Sequence, residues 1–156
     1  MPAVAGPLAK GNSGWHDACE QDAVPIKHFR ELRCWQLANQ LRQEAIAICA
    51  KPPANRDRDF CETFRDAAGS ICHNLADGFE RELPGEIVRF FRYALASLAE
   101  VQDHFEECRA RAALDQPNFD RLWDLSEHTK ATAINFKKVH ERKIEEQRRT
   151  RRRRKP

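Results

Sequence analysis

From Ile87 to Ala112 the chain sets Ile87, Phe91, Ala94, Leu98, Val101, Phe105, Cys108 and Ala112 at alternating spacings of four and three. A strand changes face at every residue, whereas a helix returns to one face after three or four, so this run describes one stripe of an α-helix. Sustained over more than three heptads, it is the seam of a helical bundle or coiled coil, and other helices must cover it. Val88, Phe90 and Leu95 widen the apolar arc of its first half to roughly 160°, where one stripe needs little over ~100°. The surplus falls either at the core margin or against another subunit.

The stretch Phe60 to Arg81 supplies the first partner. Phe60, Phe64, Ala67, Ile71, Leu75 and Gly78 lie on one helical stripe, and Ala67, Ala68, Gly69 and Ser70 are small enough to admit a close neighbour. Beside that stripe Ser70, Asn74, Asp77 and Arg81, spaced four, three and four apart, form a second row at the edge of the buried face. Hydroxyl, amide, carboxylate and guanidinium on one line read as a polar seam that sets helix register, or alternatively as a ligand-binding ridge.

Two further helices complete the set. One begins near Glu31 or Leu32 and runs to about Ala50, with Cys34, Ala38, Leu41, Ala45 and Ile48 on its stripe, and is stopped by Lys51, Pro52 and Pro53. Another starts at Pro117 and Asn118 and carries Phe119, Leu122, Leu125, Thr129, Thr132, Phe136 and Val139 before continuing into solvent. The links GFERELPG and Leu114 to Pro117 are short, which favours antiparallel neighbours. The expected fold is therefore all-α, an antiparallel up-down-up-down four-helix bundle over 29–145. Residues 1–28, with Gly, Pro, Asn and Ser and no sustained period, read as a disordered N-terminal arm, and 146–156 as an Arg-rich basic tail.

Charge is unevenly spread. The chain's formal net charge is +3, yet Arg148, Arg149, Arg151, Arg152, Arg153, Arg154 and Lys155 contribute seven positive charges, which leaves the remainder at −4. Such a cluster neutralises phosphates with little sequence preference, so RNA or DNA is an expected partner, contacted through the tail. The alternative is a merely solubilising end. The six cysteines, at 19, 34, 49, 61, 72 and 108, form no CxxC pair and read as reduced, small apolar residues of a cytoplasmic protein. No apolar run approaches a membrane span.

The segments SICHNLADGFER and FFRYALASLAEVQDHFEECR, together with FRELRCWQLA at the start of the first helix, resemble a small bacterial family first noted as proteins encoded within 23S ribosomal RNA intervening sequences. The likeness covers roughly Phe29 to Lys143. The family pattern of Ser, three residues, Asn, then Ile-Ala-Glu-Gly and a basic residue falls on Ser70, Asn74, Leu75, Ala76, Asp77, Gly78 and Arg81, with Asp77 in place of Glu. The resemblance implies an antiparallel four-helix bundle that assembles into a homopentamer, without an established enzymatic activity; no cofactor is expected. Accessory proteins of diversity-generating retroelements are distantly similar, and they associate with a reverse transcriptase and with nucleic acid.

Catalytic and metal signatures are sparse. His73 with Asp77 and Glu100 with His104 each lie one turn apart, but the Glu-x-x-His of di-iron bundles does not occur. Arg121 and His128, nearly two turns apart, match the loose arginine-histidine spacing of some helical ribonucleases and carry the alternative expectation of an RNA-cleaving enzyme. The leading expectation is a non-enzymatic oligomeric accessory or scaffold protein that binds nucleic acid. A pure protein-protein interaction module is the remaining alternative.

Overall fold

The computed structural model describes residues 26–153, and the expectations placed on residues 1–25, Cys19, Arg154 and Lys155 lie outside them. Four helices follow one another: α1 (Arg33–Cys49), α2 (Arg58–Phe79), α3 (Pro84–Ala110) and α4 (Gln116–Arg153), with single 3-10 turns at Phe29–Glu31 and Ala54–Arg56. Among the described residues there is no strand.

The helix boundaries follow local chemistry. Asp57 caps α2 by accepting from the Phe60 amide at 3.0 Å, which satisfies an N-H that the first turn leaves without a partner. Pro84 occupies the first turn of α3, where its missing N-H costs nothing. Asp115 accepts from the Asn118 amide at 2.9 Å at the opening of α4. Helix α3 ends in a Schellman turn, in which the Ala113 amide donates to Cys108 O at 2.8 Å and the Ala112 amide to Arg109 O at 3.1 Å. Ala112 takes φ 55° to make that turn. It is thus a turn residue and not the last member of the α3 seam, because the chain reverses there.

Contacts between helices fix their directions. Along α2 and α3, Phe64 meets Phe105 edge to face at 5.8 Å, Ser70 meets Ser97 at 2.9 Å, and Gly78 lies under Phe90 and Phe91. Numbers rise on one helix as they fall on the other, so the pair is antiparallel. Helices α3 and α4 show the same trend through Gln102 with Ser126 at 2.9 Å and Phe91 stacked on Phe136 at 4.8 Å. Arg121 of α4 reaches Glu44 of α1 at 2.8 Å, and Cys49 at the end of α1 meets Cys61 near the start of α2, which closes the four-helix ring. The core they enclose holds Phe64, Phe91, Phe105, Leu41, Leu75 and Leu122 with no solvent exposure.

On α3 the seam residues Ile87, Phe91, Ala94, Leu98, Val101, Phe105 and Cys108 are all buried as the spacing requires. Val88 is also buried, and Leu95 packs half-buried on the core, so the wide arc is largely taken up within the chain. Helix α4 departs from its expected phase. The buried residues are Phe119, Leu122, Ser126, Thr129 and Ala133, while Val139 is 45% exposed. Ser126 and Thr129 tolerate burial because their hydroxyls donate to Trp123 O and Leu125 O one turn back, and the small Ala133 lets α4 come close.

Two substitutions test these readings by chemical denaturation. Ala112→Gly is expected to stabilise the fold by roughly 0.5–1 kcal/mol, since a left-handed conformation costs alanine more than glycine's extra unfolded-state freedom. Gly78→Ala is expected to destabilise it by about 1–3 kcal/mol. A Cβ at that position would sit 3.0 Å from both Phe90 Cβ and Phe91 Cδ2, and a Cβ is not a flexible chain end.

Candidate nucleic-acid interface

Helix α4 is far longer than its neighbours. At ~1.5 Å per residue its 38 residues span about 57 Å, against about 26 Å for the 17 of α1. The Phe91–Phe136 stack and the Arg92–Glu141 pair at 3.5 Å set α4 beside the opening of α3. Beyond that point it outruns the bundle, and every described residue from Glu145 to Arg153 is exposed. Between Lys137 and Arg153 nine basic side chains stand against Glu141, Glu145 and Glu146. Lys137 is held by Glu141 at 2.8 Å and Arg149 by Glu145 at 3.3 Å, each one turn apart. Lys138, Arg142, Lys143, Arg148, Arg151, Arg152 and Arg153 make no ion pair among the described residues. At about 100° per residue they surround the helix, so the end of α4 is a positively charged rod. Cations at a helix C-terminus also oppose the negative end of the helix dipole, which helps the rod stay helical.

The motif residues divide into two groups. Ser70 and Asn74 act together: the Asn74 amide donates to Ser70 O at 2.9 Å and Ser70 Oγ at 3.1 Å, and Ser70 shares its hydroxyl hydrogen bond with Ser97 of α3. Ser97, buried on an otherwise apolar seam, was not singled out by spacing, because a serine at such a position shows its role only when its partner helix is in place. Asp77 is exposed, and Gly78 is the point of closest approach between α2 and α3. Arg81 does not continue the row. Helix α2 ends at Phe79, the Arg81 amide bonds Gly78 O in the following turn, and the guanidinium lies 4.7 Å over the Phe90 ring.

Arg121 and His128 both lie toward α1. Arg121 is engaged by Glu44, and that hydrogen bond raises its pKa. His128 is held below its ordinary pKa by burial, with the charge of Arg33 on α1 acting in the same direction. His73 and Asp77 are exposed, whereas His104 packs against the Phe60 and Phe64 rings at 5.4 and 5.0 Å. Among the described residues, no three His, Cys, Asp or Glu side chains are placed to hold a metal ion. Cys34, Cys49, Cys61, Cys72 and Cys108 are buried free thiols. Burial pushes Cys34 and Cys49 up to about 12 and Cys72 and Cys108 to about 11, so these four are protonated and poor nucleophiles at neutral pH. No described helix is long and apolar enough to cross a membrane.

The family described as 23S rRNA-intervening sequence protein matches residues 30–135 of the chain. The matched region takes in α1, α2 and α3 and reaches Asn135 of α4, stopping before the basic rod. No curated protein matches the chain.

Three histidines give the fold a pH dependence of definite sign. Burial lowers the His104 pKa against the opposing pull of Glu107, Asp103 and Glu100, and it lowers that of His140 with the help of Lys143. With His128, these groups remain neutral in the fold while an unfolded chain takes up protons below pH ~6.5. The unfolded state then binds more protons, so stability falls as pH drops below that value. The lowered carboxylates Asp57, Glu127 and Glu141 act in a separate window, below the ordinary carboxylate range. Urea midpoints measured between pH 7.5 and 5.5 are expected to decline. His104→Phe, which keeps the ring and removes the buried unbonded Nδ1, is expected to flatten the decline. An unchanged slope in that variant would assign the effect to the other histidines.

Proposed function

The chain belongs to the 23S rRNA-intervening sequence protein family, and on that premise we propose that it is a non-enzymatic, oligomeric accessory protein that binds nucleic acid. Its contact is the basic end of α4, and its assembly is the homopentamer that the family resemblance implies. The setting is the cytoplasm, which keeps the buried thiols reduced. One observation carries the nucleic-acid reading: α4 leaves the bundle as a continuous helix whose final exposed turns are almost wholly arginine. A duplex or a folded RNA presents closely spaced phosphates to such a rod, and each neutralised phosphate releases a counterion. Five rods on one assembly bind jointly, which raises avidity with no further contact.

The rod lies outside the region matched by the family. Its cations surround the helix and present no single reading face, which supports phosphate contact over base readout. The engagement of Arg121 by Glu44 supports a structural role for that residue.

Binding to a structured RNA and to duplex DNA, titrated against salt, tests the proposal when the full chain is compared with one ending at Gln147. Light scattering reports the mass of each. The full chain is expected to bind both, with log K falling by about 0.9 per log unit of salt for each duplex phosphate contacted. The shortened chain is expected to keep its mass and lose most of the affinity and the slope. Equal binding by both chains would move the contact onto the bundle, and no binding at low salt by either would leave a protein-interaction module.

A further inference from the structure

Several arginines of the bundle lack an ion pair, and two of them, Arg42 on α1 and Arg65 on α2, line one cleft. Arg92, Arg109, Arg111 and Arg121 each meet a carboxylate, at Glu141, Glu106, Asp57 and Glu44 respectively. Arg42 and Arg65 form no ion pair among the described residues. Arg42 is half-buried; one terminal nitrogen donates to Asn39 Oδ1 at 2.6 Å, while its Nε is sealed from solvent and has no acceptor. Arg65 uses only its Nε, donating to Cys61 O at 3.0 Å. Arg65 is exposed, whereas Arg42 is partly withdrawn from water, where a cation without a counter-charge is costly, and the two side chains line one site.

That site is a cleft of about 380 Å³ lined by Arg42, Arg65, Asp66, Gly69, Ser70 and His73. Gly69 opens it. A Cβ built there would meet only His73 Cε1, at 3.9 Å, so room is left above the α2 backbone where a side chain would otherwise stand. The donors come from two helices. A planar carboxylate is satisfied by a single guanidinium fork, whereas a tetrahedral oxyanion offers acceptors to several converging donors. We infer that the cleft between α1 and α2 binds a phosphate group, held by Arg42 and Arg65 with the Ser70 hydroxyl and His73 at its margin. Asp66 at the same cleft opposes a second negative charge and so favours a singly charged phosphate or a diester. The inference is independent of the α4 rod and stands or falls separately from it.

Thermal unfolding of the full chain in inorganic phosphate, against sodium chloride at equal ionic strength, tests it. Phosphate is expected to raise the midpoint progressively, as any ligand of the folded state does. Arg42→Gln is expected to weaken the apparent phosphate affinity at least tenfold. Because that change also touches the packing of α1 on α2, Gly69→Leu provides the second arm: it keeps both arginines, occupies the cleft and is expected to abolish the phosphate-specific shift, read relative to its own midpoint in chloride. The α4 cations are common to all variants and cancel. Competition by a dinucleoside phosphate would identify the source as a nucleic-acid backbone, and its failure to compete would identify free phosphate or a monoester. Equal shifts in phosphate and chloride for the unmodified chain, or a shift retained by Gly69→Leu, would overturn the inference.

Discussion

The close approach of α2 and α3 at Gly78 is the contact on which the other placements depend. With no side chain at 78, the start of α3 can bring Phe90 and Phe91 down onto the α2 backbone. Toward the middle of the pair, the Ser70–Ser97 hydrogen bond holds the same two helices at short range. These two points fix the sliding register of the hairpin. Phe91, seated by Gly78, also stacks on Phe136, and that stack helps to position α4. The direction in which the basic rod leaves the bundle is therefore set by a glycine on a different helix.

Polar groups inside the bundle supply discrimination that apolar packing alone does not. Gln102 of α3 donates to both Ser126 Oγ at 2.9 Å and Glu127 at 2.6 Å on α4, a bridge that one register satisfies and a shifted one breaks. At the opposite end from the rod, Arg111 joins Asp57, Glu107 and the face of the Phe60 ring, which ties the end of α3 to the cap of α2. Exposed pairs of this kind contribute little energy singly, but each marks where a helix terminus must lie.

Helix number, order and most of the core were legible because the seams of α1, α2 and α3 are long and regular, and apolar periodicity reports burial directly. Three details were not. Ala112 fits the seam by spacing, yet the backbone turns at that residue. Val139 continues a plausible stripe, but α4 is rotated toward Ser126 and Ala133, whose small or self-satisfied side chains carry no hydrophobic signal. Arg81 keeps helical spacing past the point where α2 ends. In each case the deciding factor is contact with another segment, which periodicity along one segment does not encode. The cleft at Arg42 and Arg65 was hidden for the same reason, since its donors are distant in sequence and only the pairing of α1 with α2 assembles them.

The chain holds positive charge in two physically different ways. Along α4 the arginines are exposed, fully hydrated and spread around the helix, so their attraction is long-ranged, sensitive to salt and indifferent to the shape of what it meets. At Arg42 the charge is partly withdrawn from water, so it is screened less than an exposed one. A rod of the first kind raises the local concentration of a polyanion, and a cleft of the second kind selects one oxyanion of limited size. The two differ in what salt does to them: screening weakens the rod first and leaves the partly buried arginine with most of its preference, so an interaction that survives high salt belongs to the bundle and not to the end of α4.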